Sequence, residues 1–283
     1  MTRTRPAVGL LYNPATPDVI EHASDLVEYF AVMPDRLWFD FGPQTATGRR
    51  FHRTLGAMDQ VRRLAKGRIL AGHGLGLSLP SAMPLDEAFV GAIATVAADL
   101  GGFHWFSEHL SLFITPKGSV PNAQAGLGLP VVYDEEAFAI ITSKLRRLRQ
   151  ALGCRLLLEN GSFFTPVPDM DMSEPAFLNR LYAEGYCGTL LDLHNLYVTG
   201  RNGGMTPRPI SESSIRTWSR RSTSPAATSS PGSIWTAIPA RRPPKYGAMP
   251  STTFLVFAGC GRSPSNFKKV ITSASGPRRS WPN

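Results

Sequence analysis

Histidine, carboxylate and amide side chains follow four successive apolar runs in the first 200 residues of the chain. In chain order they are His73, Glu108 and His109, Glu159 and Asn160, and Asp192, His194 and Asn195. Such runs are typical of strands buried in a parallel sheet, and in a (β/α)8 barrel the carboxyl ends of the strands converge on one rim. The pattern therefore predicts one shared site of imidazole and oxygen ligands.

This ligand set favours some metals over others. Two or three imidazoles with carboxylates, and no thiolate pattern, suit iron, manganese or zinc in an octahedral or open geometry. A structural zinc site would favour cysteine and tetrahedral closure. Asp192 and His194 are two apart on one predicted strand, so both side chains should point to the same side and serve one centre.

Each of these residues also has a purely structural interpretation. A carboxylate at a strand end, such as Glu108, Glu159 or Asp192, can cap a neighbouring helix. A single histidine after an apolar strand, such as His73, is commonly a satisfied core residue. The coincidence at four consecutive strand ends favours the site.

Short apolar runs alternate with helical patterns up to about residue 200. The predicted strands are Ala7–Leu11, Arg36–Phe41, Arg68–Gly72, Gly102–Ser107, Arg155–Leu158 and Gly188–Leu193, and the predicted helices lie near 18–32, 49–65, 85–100, 134–152 and 173–184. Helix 134–152 has the clearest signals, with Asp134 as N-cap and Gly153 as the stop. Ser173 before Glu174-Pro175 predicts another helix start.

Six strands alternating with five helices predict βαβ units and a parallel sheet, a pattern that open doubly wound sheets and closed barrels share. The segment from Gly72 to Gly76 lacks the GxGxxG spacing of a dinucleotide site. The expected fold is α/β, a TIM-barrel-like (β/α)8 architecture that is incomplete, with about six βα units in residues 1–210.

Residues 211–283 differ in composition from the preceding part. From Ser213 onward there are 11 Lys or Arg, 14 Ser and 9 Pro, with no Asp, Glu or His. This composition is typical of a disordered segment, and also of a GC-rich gene read in the wrong frame, the explanation we favour. Only Thr253–Ala258 in this tail has a strand pattern.

Composition also excludes several classes of protein. The net charge of the chain is +9, and the whole excess lies in the tail. Before Ser213 there are 19 basic and 21 acidic residues, so this part is close to neutral and nucleic acid is not an expected partner. Three unpaired cysteines and the absence of a signal-peptide pattern predict a cytoplasmic protein without a disulfide framework. No apolar run is long enough to span a membrane.

Five sequence blocks resemble the multinuclear non-haem iron-dependent oxidative enzymes, a TIM-barrel family. They are the GHGLGLSLP segment around His73, the SEHLSL segment around His109, the Leu-Pro-x-x-Tyr-x-Glu-Glu-Ala run at 129–137, the Leu-Glu-Asn block at 158–160, and GTLLDLHNLYV at 188–198. The last two blocks, in this order, are the most specific. The resemblance covers roughly residues 8–202.

The resemblance implies a peptide-modifying oxidase. Members bind two or three iron ions and use O2 to oxidise cysteine residues of ribosomally made precursor peptides, which a separate leader-binding protein often presents. The metal ligands carried over by position are His73, His109, Glu159, Asp192, His194 and Asn195. Glu108 and Asn160 would support catalysis, Glu108 by orienting an imidazole.

The sequence departs from the family after residue 212. The family's remaining ligands come from its seventh and eighth strands, and this chain has no His after His194 and no acid after Glu212. The resemblance therefore implies a partial iron site and impaired activity.

Two other functions fit the same residues. One is a divalent-metal barrel of the sugar isomerase or endonuclease IV kind, which acts without oxygen. The other is a non-catalytic, degenerate barrel that binds peptides.

Overall fold

The computed structural model describes residues 8–13, 16–17, 27–43, 45–46, 48–114, 124–165, 167, 170–202, 234–236 and 254–256. The strands are β1 (Val8–Leu11), β2 (Tyr29–Val32), β3 (Trp38–Asp40), β4 (Phe51–Arg53), β5 (Ile69–Gly74), β6 (Trp105–His109), β7 (Leu112–Ile114), β8 (Gln124–Leu129), β9 (Arg155–Glu159), β10 (Gly188–Asp192), β11 (Ile234–Thr236) and β12 (Phe254–Val256). The α-helices are α1 (Leu55–Ala65), α2 (Glu87–Asp99), α3 (Glu135–Leu152), α4 (Glu174–Ala183) and α5 (Leu193–Asn202). A 3-10 turn spans Pro34–Arg36.

Six parallel strands form a curled half-barrel sheet in the order in which they occur in the chain. The order is β1-β2-β5-β6-β9-β10, with β12 antiparallel to β1 at one edge and β11 parallel to β10 at the other. A doubly wound sheet reverses its strand order at a switch point, whereas a barrel adds each strand to the same side. The sequential order therefore confirms the incomplete TIM-barrel-like fold.

The second sheet strand lies where the sequence predicted helix. The predicted helix 18–32 is wrong at its end, because residues 29–32 form β2, which pairs in parallel with β1 and β5. Residues 18–26 of that prediction lie outside the described residues. All four β2 residues are buried, as a central strand of aromatic and aliphatic residues requires. The predicted strand Arg36–Phe41 was wrong as a sheet member, because its centre is β3, which forms a separate antiparallel pair with β4.

The other helix predictions are confirmed, with one change at a start. The Asp134 side chain accepts a hydrogen bond from the backbone of Ala137, and Gly153 ends α3 with φ at 62°. The Ser173 side chain caps α4 in the same way. Helix 49–65 begins later than predicted, at Leu55, because Phe51–Arg53 is strand β4.

The two faces of the sheet pack differently. The larger apolar core lies between the sheet and the helices and includes residues such as Phe30, Phe106 and Ile141. A smaller group of strand residues, the inner cluster, lies on the face turned away from the helices. It consists of Tyr29, Ala31, Ala71, Trp105, Leu157 and Leu190. Because side chains alternate along a strand, every second residue beyond this cluster also faces inward.

Most of the tail lies outside the described residues, and the prediction that it is disordered or out of frame stays a prediction. Strand β12 falls within the predicted strand Thr253–Ala258, which confirms that strand. The expectation that the tail has no other strand was wrong, because Ile234–Thr236 forms β11 and pairs with β10. Among the described residues, no helix has both the length and the apolarity to cross a bilayer.

Candidate metal centre

Strand alternation carries four of the predicted ligands to the inner face at the carboxyl ends of the strands. His73 lies two residues after Ala71 on β5, His109 four after Trp105 on β6, Glu159 two after Leu157 on β9, and Asp192 two after Leu190 on β10. The register pairs His109 directly with Glu159 across β6 and β9. Neighbouring strands therefore bring these ligands together.

Three of these residues form a compact triad. His73 Nε2 lies 3.1 Å from His109 Nε2. Glu159 Oε2 lies 3.5 Å from His73 Nε2 and 3.7 Å from His109 Nε2. One candidate ligand atom from each residue falls within 4.8 Å of the others.

The triad has the dimensions of ligands around one cation. Bonds of about 2.1 Å place neighbouring ligand atoms about 3.0 Å apart at right angles and about 3.4 Å apart in a tetrahedron. The three observed separations are at or slightly above this range. Two imidazole nitrogens and one carboxylate oxygen suit iron, zinc or manganese, and they leave room for further ligands.

The environment keeps the imidazoles neutral. Burial lowers the pKa of His73 to about 3, and the adjacent His109 adds to this effect. Burial likewise lowers the pKa of His109 to about 4, although Asp192 opposes the shift. Burial and the neighbouring carboxyl group of Asp192 raise the pKa of Glu159 well above its usual range. Two neutral imidazoles and a buried acid are a donor set that a divalent cation would stabilise.

Asp192 and Asn195 border the triad on the β10 side. The Asn195 side-chain amide donates to Glu159 Oε1 at 3.1 Å and to the Asn160 carbonyl oxygen at 3.0 Å. Asp192 Oδ1 accepts from the backbone N–H of His194 at 2.7 Å and of Asn195 at 2.9 Å. Asp192 is therefore the N-cap of α5 as well as a neighbour of Glu159.

Asn160 is buried, and its amide is engaged with the backbone. Its side chain donates to the Asp192 carbonyl oxygen at 3.0 Å and accepts from the Asp192 N–H at 2.7 Å. These two bonds extend the pairing of β9 with β10 beyond the last paired residues. Its predicted catalytic role stays a prediction, and the contacts of Asn160 give it a positioning role.

His194 lies elsewhere than the sequence predicted. The strand ends at Asp192, and His194 lies in the first turn of α5 with an exposed side chain. The prediction that Asp192 and His194 share one strand face was wrong, because the cap formed by Asp192 turns the chain into a helix. The structure does not bring the His194 side chain into the triad.

Glu108 lies on the helix-facing side of β6, opposite to His109. A Cβ atom at Gly74 would lie 2.3 Å from Glu108 Oε2 and 2.6 Å from Phe106 Cζ, so Glu108 and Phe106 share one face. Glu108 Oε1 accepts from the His109 backbone N–H, and Oε2 has no partner among the described residues. Burial raises the pKa of Glu108 well above its usual range, and Asp35 adds to this effect. The expectation that Glu108 orients an imidazole was wrong because alternation places it on the other face.

Ser107 is the site residue that the sequence prediction missed. Its hydroxyl oxygen lies 2.9 Å from His73 Nδ1 and 3.3 Å from the Gly72 carbonyl oxygen. The available signal was its position, two residues before His109 on the same strand and therefore on the same face.

A family model matches most of the chain. The model of the RiPP precursor modification enzymes MbnB/TglH/ChrH matches residues 7–214. The chain belongs to this family. The resemblance seen in the sequence blocks is thereby confirmed, and the family's substrates are precursor peptides.

Relatives with similar sequences carry a family number as their only name. A UPF0276 protein of Pasteurella multocida is 33% identical over 181 residues, which are 64% of this chain and 56% of the relative. A UPF0276 protein of Anaeromyxobacter is 31% identical over 187 residues, which are 65% and 62% of the two chains. This chain therefore spans about three fifths of the length of these two relatives.

Solved structures give weaker likenesses. The 3-keto-D-glucoside 4-epimerase of E. coli is 12% identical with a TM-score of 0.41, over 76% of this chain and 87% of the epimerase. A putative sugar phosphate isomerase/epimerase of Anabaena variabilis is 12% identical with a TM-score of 0.37, over 73% and 64%. Likenesses of this size carry no conclusion about activity.

Proposed function

We propose that the chain is an iron- and O2-dependent oxidase, or a part of one, that modifies cysteine residues of a ribosomally made precursor peptide. The observation that carries the proposal is the triad His73, His109 and Glu159 on the inner face of the sheet. Family membership supports the peptide substrate. The identity of the metal and the reaction at cysteine belong to the proposal.

The triad residues would hold the metal through His73 Nε2, His109 Nε2 and a Glu159 oxygen. Iron bound there would supply the capacity to bind O2 beside a cysteine thiolate, with the thiolate as the electron donor and O2 as the oxidant. Asn195 holds Glu159 Oε1 by its amide, so one carboxylate oxygen is oriented by protein and the other faces the imidazoles. Asp192 neighbours Glu159 but lies outside this group of three candidate ligands.

The inner cluster closes the site from below. Trp105, Leu157 and Leu190 are buried on the same face as the triad, two or four residues before the polar residue at the end of each strand. Their side chains exclude water from that side, so the metal would be open only towards the rim. A peptide would enter there, with a separate leader-binding protein presenting it, and the reaction would take place in the cytoplasm.

The test begins with metal content. The full chain, purified without metal and incubated anaerobically with Fe²⁺, is expected to retain iron after desalting, whereas Glu159→Gln is expected to retain little. His194→Ala is the matched control, because it changes a rim histidine that lies outside the triad. Failure of the wild-type chain to retain iron while it binds zinc or manganese would contradict the choice of metal.

The reaction is tested with a short cysteine-containing peptide encoded next to the gene. Iron-loaded chain is expected to consume O2 only when this peptide is present, and the peptide is expected to change mass at a cysteine. Turnover with zinc or manganese under nitrogen would instead support an isomerase-like or endonuclease-like enzyme. Tight binding of the peptide without any metal would support a non-catalytic scaffold.

A further inference from the structure

Ser107 contacts Nδ1 of His73, the ring nitrogen that is not directed at the other two triad residues. The register of β5 and β6 sets Ser107 directly opposite His73. Ser107 is only 3% exposed. Its hydroxyl oxygen is 2.9 Å from His73 Nδ1 and 3.3 Å from the Gly72 carbonyl oxygen.

Only one arrangement of the hydrogens makes both of these contacts hydrogen bonds. A carbonyl oxygen can only accept a hydrogen bond, and a serine hydroxyl has one hydrogen to donate. When that hydrogen points to Gly72, the hydroxyl oxygen is left to accept from His73. The accepting geometry requires the ring hydrogen on Nδ1. A neutral imidazole has one ring hydrogen, so His73 Nε2 is then a bare lone pair.

The neighbouring imidazole favours the opposite arrangement. His109 Nε2 lies 3.1 Å from His73 Nε2, and a lone pair on that nitrogen attracts a hydrogen onto His73 Nε2. A hydrogen on Nε2 would occupy the position that a cation needs. Without Ser107, His73 would therefore shift towards the form that cannot bind a cation through Nε2.

We propose that Ser107 is a positioning residue that holds the ring hydrogen of His73 on Nδ1 and so keeps Nε2 free to bind a cation. The part that concerns the cation rests on the proposed metal centre. The part that concerns the hydrogen rests only on the contacts of Ser107 and applies to the metal-free protein.

The hydrogen position is measured in the metal-free full chain by long-range ¹H–¹⁵N correlation spectra of histidine-labelled protein. The chain has six histidines, and His73→Gln identifies the His73 signals. Wild type is expected to show the Nδ1–H form, and Ser107→Ala a mixture with a large Nε2–H fraction. Ser107→Thr keeps the hydroxyl and is expected to retain the wild-type pattern. An unchanged pattern in folded Ser107→Ala overturns the proposal.

The consequence is measured with Co²⁺ as the probe ion. Ser107→Ala is expected to bind Co²⁺ about tenfold more weakly than wild type, as is typical when an outer partner of a histidine ligand is lost. Equal affinity of folded Ser107→Ala and wild type overturns the positioning role. If wild type binds no Co²⁺ while the hydrogen shifts as expected, the metal centre fails and the effect of Ser107 on the ring stands.

Discussion

The two sides of the candidate site use their polar residues for different purposes. On the three-strand side, formed by the ends of β5, β6 and β9, the side chains of His73, His109 and Glu159 point at one another. At the β10–α5 junction, Asp192 caps a helix and Asn160 pairs with backbone. Polar residues with similar spacing thus supply candidate metal ligands on one side and hold the chain on the other.

Glu159→Gln should have the largest effect, because it removes the anionic ligand without changing the shape of the side chain. Metal affinity is expected to fall by more than about 100-fold. Removal of a residue that only hydrogen-bonds to a ligand costs roughly 10- to 100-fold. Titration with Co²⁺ or Zn²⁺ measures this. A decrease smaller than that of Ser107→Ala would show that the three-strand side is not the ligand side.

Asn160→Ala should have the next largest effect, on stability. It leaves the N–H and carbonyl of Asp192 without partners in a buried position, at about 1–3 kcal/mol for each group. We expect a loss of about 2–4 kcal/mol in urea unfolding. Asn202→Ala removes an amide from the exposed end of α5 and is the matched control, with an expected loss below about 1 kcal/mol. Equal losses in the two variants would contradict the positioning role of Asn160.

Glu159→Gln should also change how the stability of the metal-free protein depends on pH. Because burial raises the pKa of Glu159 above its ordinary value of 4.5, the folded protein keeps a proton that the unfolded chain loses. The stability of wild type therefore falls as the pH rises from about 4.5 towards the folded pKa, and the Gln variant lacks this contribution.

The measurement is urea unfolding in the presence of a chelator at pH 5 and pH 8. Glu159→Gln is expected to gain stability relative to wild type at pH 8 and to gain less at pH 5. The Glu159→Gln substitution would then stabilise the metal-free protein and weaken its binding of metal. A difference from wild type that does not vary with pH would rule out a buried proton on Glu159.

His194→Ala should have the smallest effect. The side chain is exposed, and the contact of residue 194 with Asp192 uses the backbone N–H, which alanine retains. We expect less than about a twofold change in metal affinity and less than about 0.5 kcal/mol in stability. A loss of Co²⁺ binding comparable with that of Glu159→Gln would restore His194 as a ligand and place the β10–α5 junction in the centre.

The sequence predicted much of the fold because its signals are local. The sequence of helix α3 has an N-cap residue, apolar residues at helical spacing and a glycine at its end, and all three are found at the predicted residues. Strand β2 was missed because four residues contain too little periodicity to separate a buried strand from a helix. Helix α5 was missed because its first turn continues the apolar run of β10.

Part of the candidate site was also predicted from local sequence signals. The residue types at the strand ends identified His73, His109 and Glu159. The expectation that Asp192 and His194 share one strand face was wrong, because the strand ends at Asp192 and a helix begins at Leu193. Ser107 was overlooked, although its position two residues before His109 on one strand puts both side chains on the same face.

The sequence by itself determined the alternation of strands and helices, the family, and the supply of imidazoles and carboxylates near the strand ends. The tertiary structure decided which of those groups meet, because a meeting depends on strand register and on where each strand stops. The register sets Ser107 against His73 and His109 against Glu159. The end of β10 at Asp192 sends His194 into solvent, since a capping carboxylate starts a helix there.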